Sequence, residues 1–288
     1  MIIRHYDVQS PETKPPDNDN WQPTWHGYWE LKACETQNRK LALLAQDKTT
    51  HSRGMITEPE FEKDCLLSIL SDIKHDQVNM FELGAGWGRM SLALAGAINH
   101  KIVPMIPSSY FCVAVEAEPT HYQWLKRNFE AQQIDGVAIH GAVSNKPGKT
   151  ILGINSDPAE EYGQGAISPF SVGGIIYQLT KKTIRVPVYT IDQLVKKHLI
   201  QRLDIVDIDV QGFECKVIQG AKDSIKNWLI DYLMIGTHNK EYNLQLRELL
   251  SGSFELVIDI PPNTVFLEWF KPVKMNDGMQ VYRRKSLA

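Results

Sequence analysis

Apolar positions along this chain follow two alternating rhythms. In "FEKDCLLSILSDIK", Phe61, Cys65, Leu66, Ile69, Leu70 and Ile73 recur at three- and four-residue spacing, which predicts a helix with one buried face. Next, "NMFELG" is a short apolar run stopped by glycine, the pattern of a strand covered on both sides. The alternation continues with a helix in "RMSLALAGA", a strand in "YFCVAVEA", a helix in "PTHYQWLKRNFEAQQ" opened by Pro119, and a strand in "GVAIHGAV". Later come "IRVPVYTIDQLVKKH", the strand "LDIVDIDV", the helix "FECKVIQGAKDSIKNW" and the strand "DYLMIGTH". A helix around "EYNLQLRELL" closes at Gly252, and "FELVIDI" and "MQVYRR" are the last strand candidates. Strands and helices in alternation predict βαβ units, hence an α/β fold with a mostly parallel sheet between two helical layers.

Three stretches break the rhythm. Residues 1–20 are polar and dotted with proline, and "WQPTWHGYWE" then places Trp21, Trp25, Tyr28 and Trp29 close together. Residues 1–55 thus read as an N-terminal arm and aromatic flap, which either packs on the main domain or walls an acceptor pocket. The segment "NHKIVPMIPSSY" reads as an insertion, and "NSDPAEEYGQGAISPFSVGG" as a lid-like one spanning about 155–182. Residues 56–288 form the main domain.

Composition narrows the function classes. The chain is 43% apolar and 23% charged with a net charge of −3, which is ordinary for a globular protein and gives no basic footprint for nucleic acid. Four scattered cysteines without a CxxC pair read as reduced thiols. No signal-like apolar segment opens the chain, and no apolar run approaches the roughly 18 residues of a membrane span. The expectation is a cytoplasmic protein without a membrane partner; its oligomeric state is not readable.

The chemistry concentrates at "FELGAGWGRM", with Gly84, Gly86 and Gly88 behind Glu82. Ligands of open parallel sheets sit beyond the carboxyl ends of strands, where a glycine turn lets backbone approach without a Cβ. A dinucleotide fingerprint needs its third glycine where Arg89 stands, so the pattern suits a cationic, amino-acid-bearing ligand better. The second strand ends at Glu116, placed to accept hydrogen bonds from both hydroxyls of a ribose. Its distance from Glu82, 34 residues, exceeds the usual gap of about 20.

Taken together, "FELGAGWGRMSLALA", "VAVEAEPTHYQWLKRNF", "GAVSNKPGKTILGI", "YTIDQLV" and "IVDIDVQGFECKVIQGA" resemble, in this order, the FkbM-type methyltransferases, over roughly residues 77–284. The resemblance implies the class I, three-layer Rossmann-like fold with seven strands, S-adenosylmethionine as cofactor, and O-methylation of a carbohydrate or secondary-metabolite hydroxyl. It also implies that Glu82, Gly84, Ala85 and Gly86 surround the methionine end of the cofactor. Glu116 and Ala117 would take the ribose, and Ala142 and Val143 would border the adenine. Where the family reads K-I-D-V-E-G-A-E, this chain has Asp207 for the lysine and Gln211 for the first glutamate, and keeps Asp209, Gly212 and Glu214.

Asp209 and His238 stand at adjacent strand tips and are the candidates for handling an acceptor's proton, His238 as general base. A capping role for Asp209 or its contact with the cofactor's amino group, and a capping or core role for His238, remain open. Glu214 reads as a helix-dipole partner. Asp209, Glu214 and His238 would suit Mg²⁺ or Mn²⁺, but the sequence shows no dense acidic cluster, so no metal is expected. The rival readings are a cofactor-binding protein without chemistry, kept open by Asp207 and Gln211, and a nucleotide-dependent oxidoreductase.

Overall fold

A computed structural model describes residues 21–23, 29–31, 58–101, 107–154, 182–268, 271–275 and 277–286. The lid-like insertion and most of the N-terminal arm lie outside the described residues. Of the arm, β1 (Trp21–Pro23) and β2 (Trp29–Leu31) form an antiparallel pair, Trp21 opposite Leu31.

The main sheet grows from the alternating segments. Helix α1 (Glu58–Asp72) leads into β3 (Gln77–Leu83), then α2 (Arg89–Asn99), β4 (Ser109–Glu116), α3 (Pro119–Ala131) and β5 (Gly136–His140). Further along, β9 (Leu203–Ile208) and β10 (Ile230–Thr237) continue the sheet. Helices α5 (Glu214–Gln219) and α6 (Lys222–Lys226) connect them. Last come α7 (Lys240–Leu250), β11 (Phe254–Ile260), the hairpin β12 (Thr264–Glu268) and β13 (Lys271–Met275), and β14 (Gly278–Arg284). The strand order is β11-β14-β10-β9-β3-β4-β5, with β5, β4, β3, β9 and β10 running parallel to one another and β14 antiparallel to both β10 and β11. This is the seven-stranded Rossmann-like sheet, and its order reverses between β3 and β9.

Alternation along each strand fills two cores. Val78 and Met80 share one core with Leu66, Leu70 and Leu92, while Phe81 and Leu83 share the other with Val206, Val217 and Leu246. Burying both faces is why these strands read as continuous apolar runs rather than alternating ones.

Two segments fold differently from their sequence rhythm. "GVAIHGAV" breaks at Gly141: β5 stays in the main sheet, and β6 (Ala142–Val143) joins β7 (Gly148–Ile154) and β8 (Lys182–Tyr189) in a separate sheet of order β6-β8-β7. A Cβ at Gly141 would stand 2.7 Å from the ring of Tyr189, so only glycine lets the chain turn between the sheets. The helix "FECKVIQGAKDSIKNW" is interrupted at Gly220 and Ala221, where a Cβ on Gly220 would strike the backbone of Ser144. Helix α4 (Ile191–Lys197), which follows β8, starts on a Thr190–Gln193 capping box.

Candidate active site

The glycine turn after β3 is clamped on both sides. Val115 carbonyl accepts from Gly84 N and Ala85 N, both at 3.0 Å, and Asp209 N donates to Leu83 carbonyl at 2.8 Å. Gly84 has φ of +81°, and any Cβ there would overlap the backbone carbonyl of Asp209. Gly86 also sits at positive φ. Gly88, at φ +89°, is the N-cap of α2, and a Cβ on it would lie 2.7 Å from Leu125. The first glycine therefore brings the ends of β3 and β9 together, and the third lets α2 lie close to α3.

Glu82 points away from the turn's open side. Its Oε1 accepts from Met90 N at 2.8 Å, and its Oε2 from Ser91 N at 2.9 Å and Ser91 Oγ at 2.5 Å. Helix α2 has no side-chain cap of its own, so this carboxylate satisfies its first free N–H groups and complements its dipole. Burial raises the proton affinity of Glu82, which these bonds partly offset. The resemblance sets Glu82 and Ala85 beside the cofactor; neither is on the cleft wall, because the glutamate is used beneath α2.

That cleft, of about 280 Å³, opens at the carboxyl end of the sheet beside the reversal of strand order. Gly84, Gly86, Glu116, Ala117 and Asp209 form one wall; Ala142 and Val143 lie opposite. Sequence reasoning missed further wall residues, among them His121, Lys146, Thr150 and Phe213. His121 had a signal, since it lies in the first turn of the helix that follows Glu116. Thr150 had none, because β7 reaches the cleft only through the separate small sheet.

Glu116 is almost wholly buried in this wall. Its Oε2 accepts from Gly86 N and its Oε1 from Glu118 N, each at 2.7 Å. Burial pushes its carboxyl up to about 7, against the opposing pull of those N–H groups. Glu118 is the N-cap of α3, accepting from His121 N at 2.6 Å. His140 contacts Ala117 carbonyl at 3.0 Å and stacks on Tyr122.

Asp209 and His238 meet at the tips of β9 and β10. His238 Nε2 lies 3.3 Å from Asp209 Oδ1 and 3.9 Å from Asp277 Oδ2, and Nδ1 donates to Glu214 Oε1 at 2.6 Å. Glu214 also accepts from Gly212 N at 2.9 Å, so it stabilises the left-handed turn at Gln211 and Gly212 as well as the N-terminus of α5. The N-cap of α5 is Phe213; Asp209 is not its cap, and a Cβ on Gly236 would touch Asp209 Oδ1. Burial disfavours a charged His238 ring, but the Asp209 and Glu214 carboxylates more than reverse this and push it up to about 10. His238 is consequently a cation at neutral pH, which donates and orients instead of taking a proton. Its Hε1 resonance, assigned with a His238→Gln variant, is expected to stay constant from about pH 6 to about pH 8 and to titrate near 10. A midpoint near the ordinary histidine value would show that the carboxylate clamp does not form in solution.

Departures from the family pattern gather nearby. Asp207 is the register partner of Glu82, and burial together with Glu82 and Glu62 raises its proton affinity strongly. Arg89, ion-paired with Glu62, supplies the positive charge next to it. Among the described residues, side chains with metal-ligand spacing occur at the opposite end of the sheet, as His75, Asp204 and Asp231. There Arg202 holds Asp204 at 2.8 Å and Arg284 holds Asp231 at 2.7 Å, which makes the cluster an ion-pair network.

Among the described residues no helix is long and apolar enough to cross a membrane. No curated protein sequence matches the chain. Among solved structures it is similar to the METTL16 MTase domain, at 12% identity over 92% of this chain and 86% of that one with a TM-score of 0.47. It is also similar to the precorrin-6y C5,15-methyltransferase of Geobacter metallireducens GS-15, at 12% identity, 84% and 96% coverage and a TM-score of 0.42. A third similar structure is Aeropyrum pernix fibrillarin with bound S-adenosyl-L-methionine, at 13% identity, 76% and 73% coverage and a TM-score of 0.38. The profile of the methyltransferase FkbM domain matches residues 99–257, more than half of the chain, and the chain therefore belongs to the FkbM methyltransferase family.

Proposed function

We propose that this protein methylates an oxygen of a small acceptor, a sugar or secondary-metabolite hydroxyl, with S-adenosylmethionine as donor. The observation that carries this reading is the cleft itself. A glycine turn with no room for a Cβ and a buried carboxylate at the next strand end face one space, at the point where strand order reverses. When bound, the cofactor supplies a sulfonium methyl, an electrophile that needs only an aligned lone pair.

The residues present fit such a molecule. Gly84 and Gly86 admit close approach, Glu116 has acceptor capacity for a pair of hydroxyls, and Ala142 and Val143 offer an apolar edge to a base. A hydroxyl acceptor must lose its proton as the new bond forms. Asp209, with its side chain 48% exposed at the cleft, is the group placed to receive it on Oδ. His238 holds that carboxylate in position as a fixed cation, backed by wholly buried Glu214.

Calorimetric titration with S-adenosylmethionine, S-adenosylhomocysteine and NAD tests the reading. Both sulfur compounds are expected to bind and NAD not. Glu116→Ala should weaken binding by about 10- to 100-fold, the value of one or two hydrogen bonds to a charged group. Binding of NAD alone, or of nothing, removes the methyltransferase reading. Binding without turnover of any hydroxyl acceptor would instead favour a silent cofactor-binding protein.

A further inference from the structure

Helix α3 connects the cleft to the aromatic arm. It packs on β4 and β5, and its first turn places His121 in the cleft wall with Glu116 and Gly86. Those strands form the half of the sheet away from Asp209 and His238, which stand at the ends of β9 and β10 across β3. Strand β2 of the arm lies against the same helix. The arm thus meets the domain on the half that holds Glu116, not on the half that holds the proton-handling pair.

His121 is 3% exposed and is held through both its backbone and its ring. Its N–H donates to Glu118 Oε2 at 2.6 Å, and Glu118 N donates in turn to Glu116 Oε1 at 2.7 Å. The ring stacks on Trp124, with centroids 5.3 Å apart and planes 28° from parallel. A stacked ring in a buried wall offers a ligand a flat face at a fixed place. The hairpin is the weaker partner. Two paired strands of three residues are marginal at best in water, so β1 and β2 hold their order through α3. An element of such low stability responds to whatever stiffens its support.

We propose that His121 is a further cofactor-contact residue, and that the N-terminal hairpin serves the cofactor rather than the acceptor by holding α3 and the His121 ring against the bound nucleoside. This rests on the methyltransferase reading and deepens its cofactor site. The ring acts as a wall, so its shape matters and its proton does not. Coupling between the two is reciprocal: the factor by which the docked hairpin favours the cofactor is the factor by which bound cofactor favours the docked hairpin.

The experiment measures amide hydrogen exchange of residues 21–31 in the full chain, with and without saturating S-adenosylhomocysteine and with no acceptor present. Exchange there is expected to slow about fivefold or more on binding. Replacing β2 in the full chain (Trp29→Gly, Glu30→Gly and Leu31→Gly together) should weaken S-adenosylhomocysteine by the same factor in calorimetry. His121→Ala should weaken it by about tenfold and remove the protection. His121→Phe, which keeps a ring on Trp124, should restore both. In the β2 variant His121→Ala should cost less than it does in the parent, because the two act through one contact. Binding of S-adenosylhomocysteine with unchanged exchange overturns this proposal alone. So does protection that survives His121→Ala, or losses that simply add. If S-adenosylhomocysteine does not bind the parent protein, the methyltransferase reading falls and this proposal falls with it.

Discussion

Replacing Gly84 with alanine is expected to lower the melting temperature by roughly 10 °C and to remove measurable S-adenosylhomocysteine binding. Two costs combine at this residue. Its backbone is in the left-handed region at φ +81°, which costs an alanine about 1–2 kcal/mol. The added Cβ would also overlap the carbonyl oxygen of Asp209, and neither partner can easily retreat. Gly84 N is bonded to Val115 carbonyl, and Asp209 N to Leu83 carbonyl, so both backbones are tied to the strands they end. Forcing them apart is an overpacking of backbone against backbone, and the sum comes to about 3–5 kcal/mol. The displaced group is the end of β9, which carries Asp209, so the cleft wall moves with it. Differential scanning calorimetry beside Gly252→Ala, where a Cβ meets nothing within 4 Å, separates this from a generic glycine effect. A loss of only a degree or two with binding retained would show that the turn is not clamped as described.

Most of the fold is legible in the sequence because its central strands are buried on both faces and its helices on one. The apolar runs at "NMFEL" and "YFCVAVE" and the spaced face of "FEKDCLLSILSDIK" state their environment locally. The small β6-β8-β7 sheet is not legible, because "IRVPVY" has the same local pattern in either sheet. What assigns it is Gly141 against the ring of Tyr189, a contact between residues far apart in the chain. The same division runs through the site. Gly84, Gly86, Glu116 and Asp209 sit at strand ends, so the topology alone carries them to one cleft. Glu82 sits at a strand end too, but its carboxylate is claimed by backbone N–H groups a turn further on. The acidic surroundings of His238 come from the end of β9, α5 and the approach to β14, and no spacing in the sequence announces that they meet. The charge of the histidine follows from that gathering, which is why a ring that reads as a base is a held cation.

Glu116 couples this site to pH in two directions. With its carboxyl at about 7, the free protein keeps a proton on Glu116 that the unfolded chain, with an ordinary glutamate at 4.5, gives up. Between about pH 4.5 and 7 the folded state therefore binds more protons than the unfolded one, and stability falls as pH rises through that window. The full cost above pH 7 is about 3 kcal/mol. His238 adds a slope of the same sign at higher pH: its folded value near 10 lies above the ordinary 6.5, so its contribution is complete below 6.5 and is lost on the way to 10. Ligand affinity runs the other way. A ribose diol donates to an ionised carboxylate, so S-adenosylhomocysteine should bind with constant affinity above about pH 8 and weaken roughly tenfold for each unit below 7. The melting temperature of the free protein should fall between pH 5 and 7 while the increment from ligand grows. Glu116→Gln removes this group's proton, so the ligand trend should flatten and the stability slope in that window should become shallower by the share of Glu116. The slopes of the other buried carboxyls, such as Glu82 and Asp207, and the alkaline slope of His238 should remain. A change in the stability trend alone would place the diol elsewhere in the cleft; survival of both trends unchanged would locate the proton on another group.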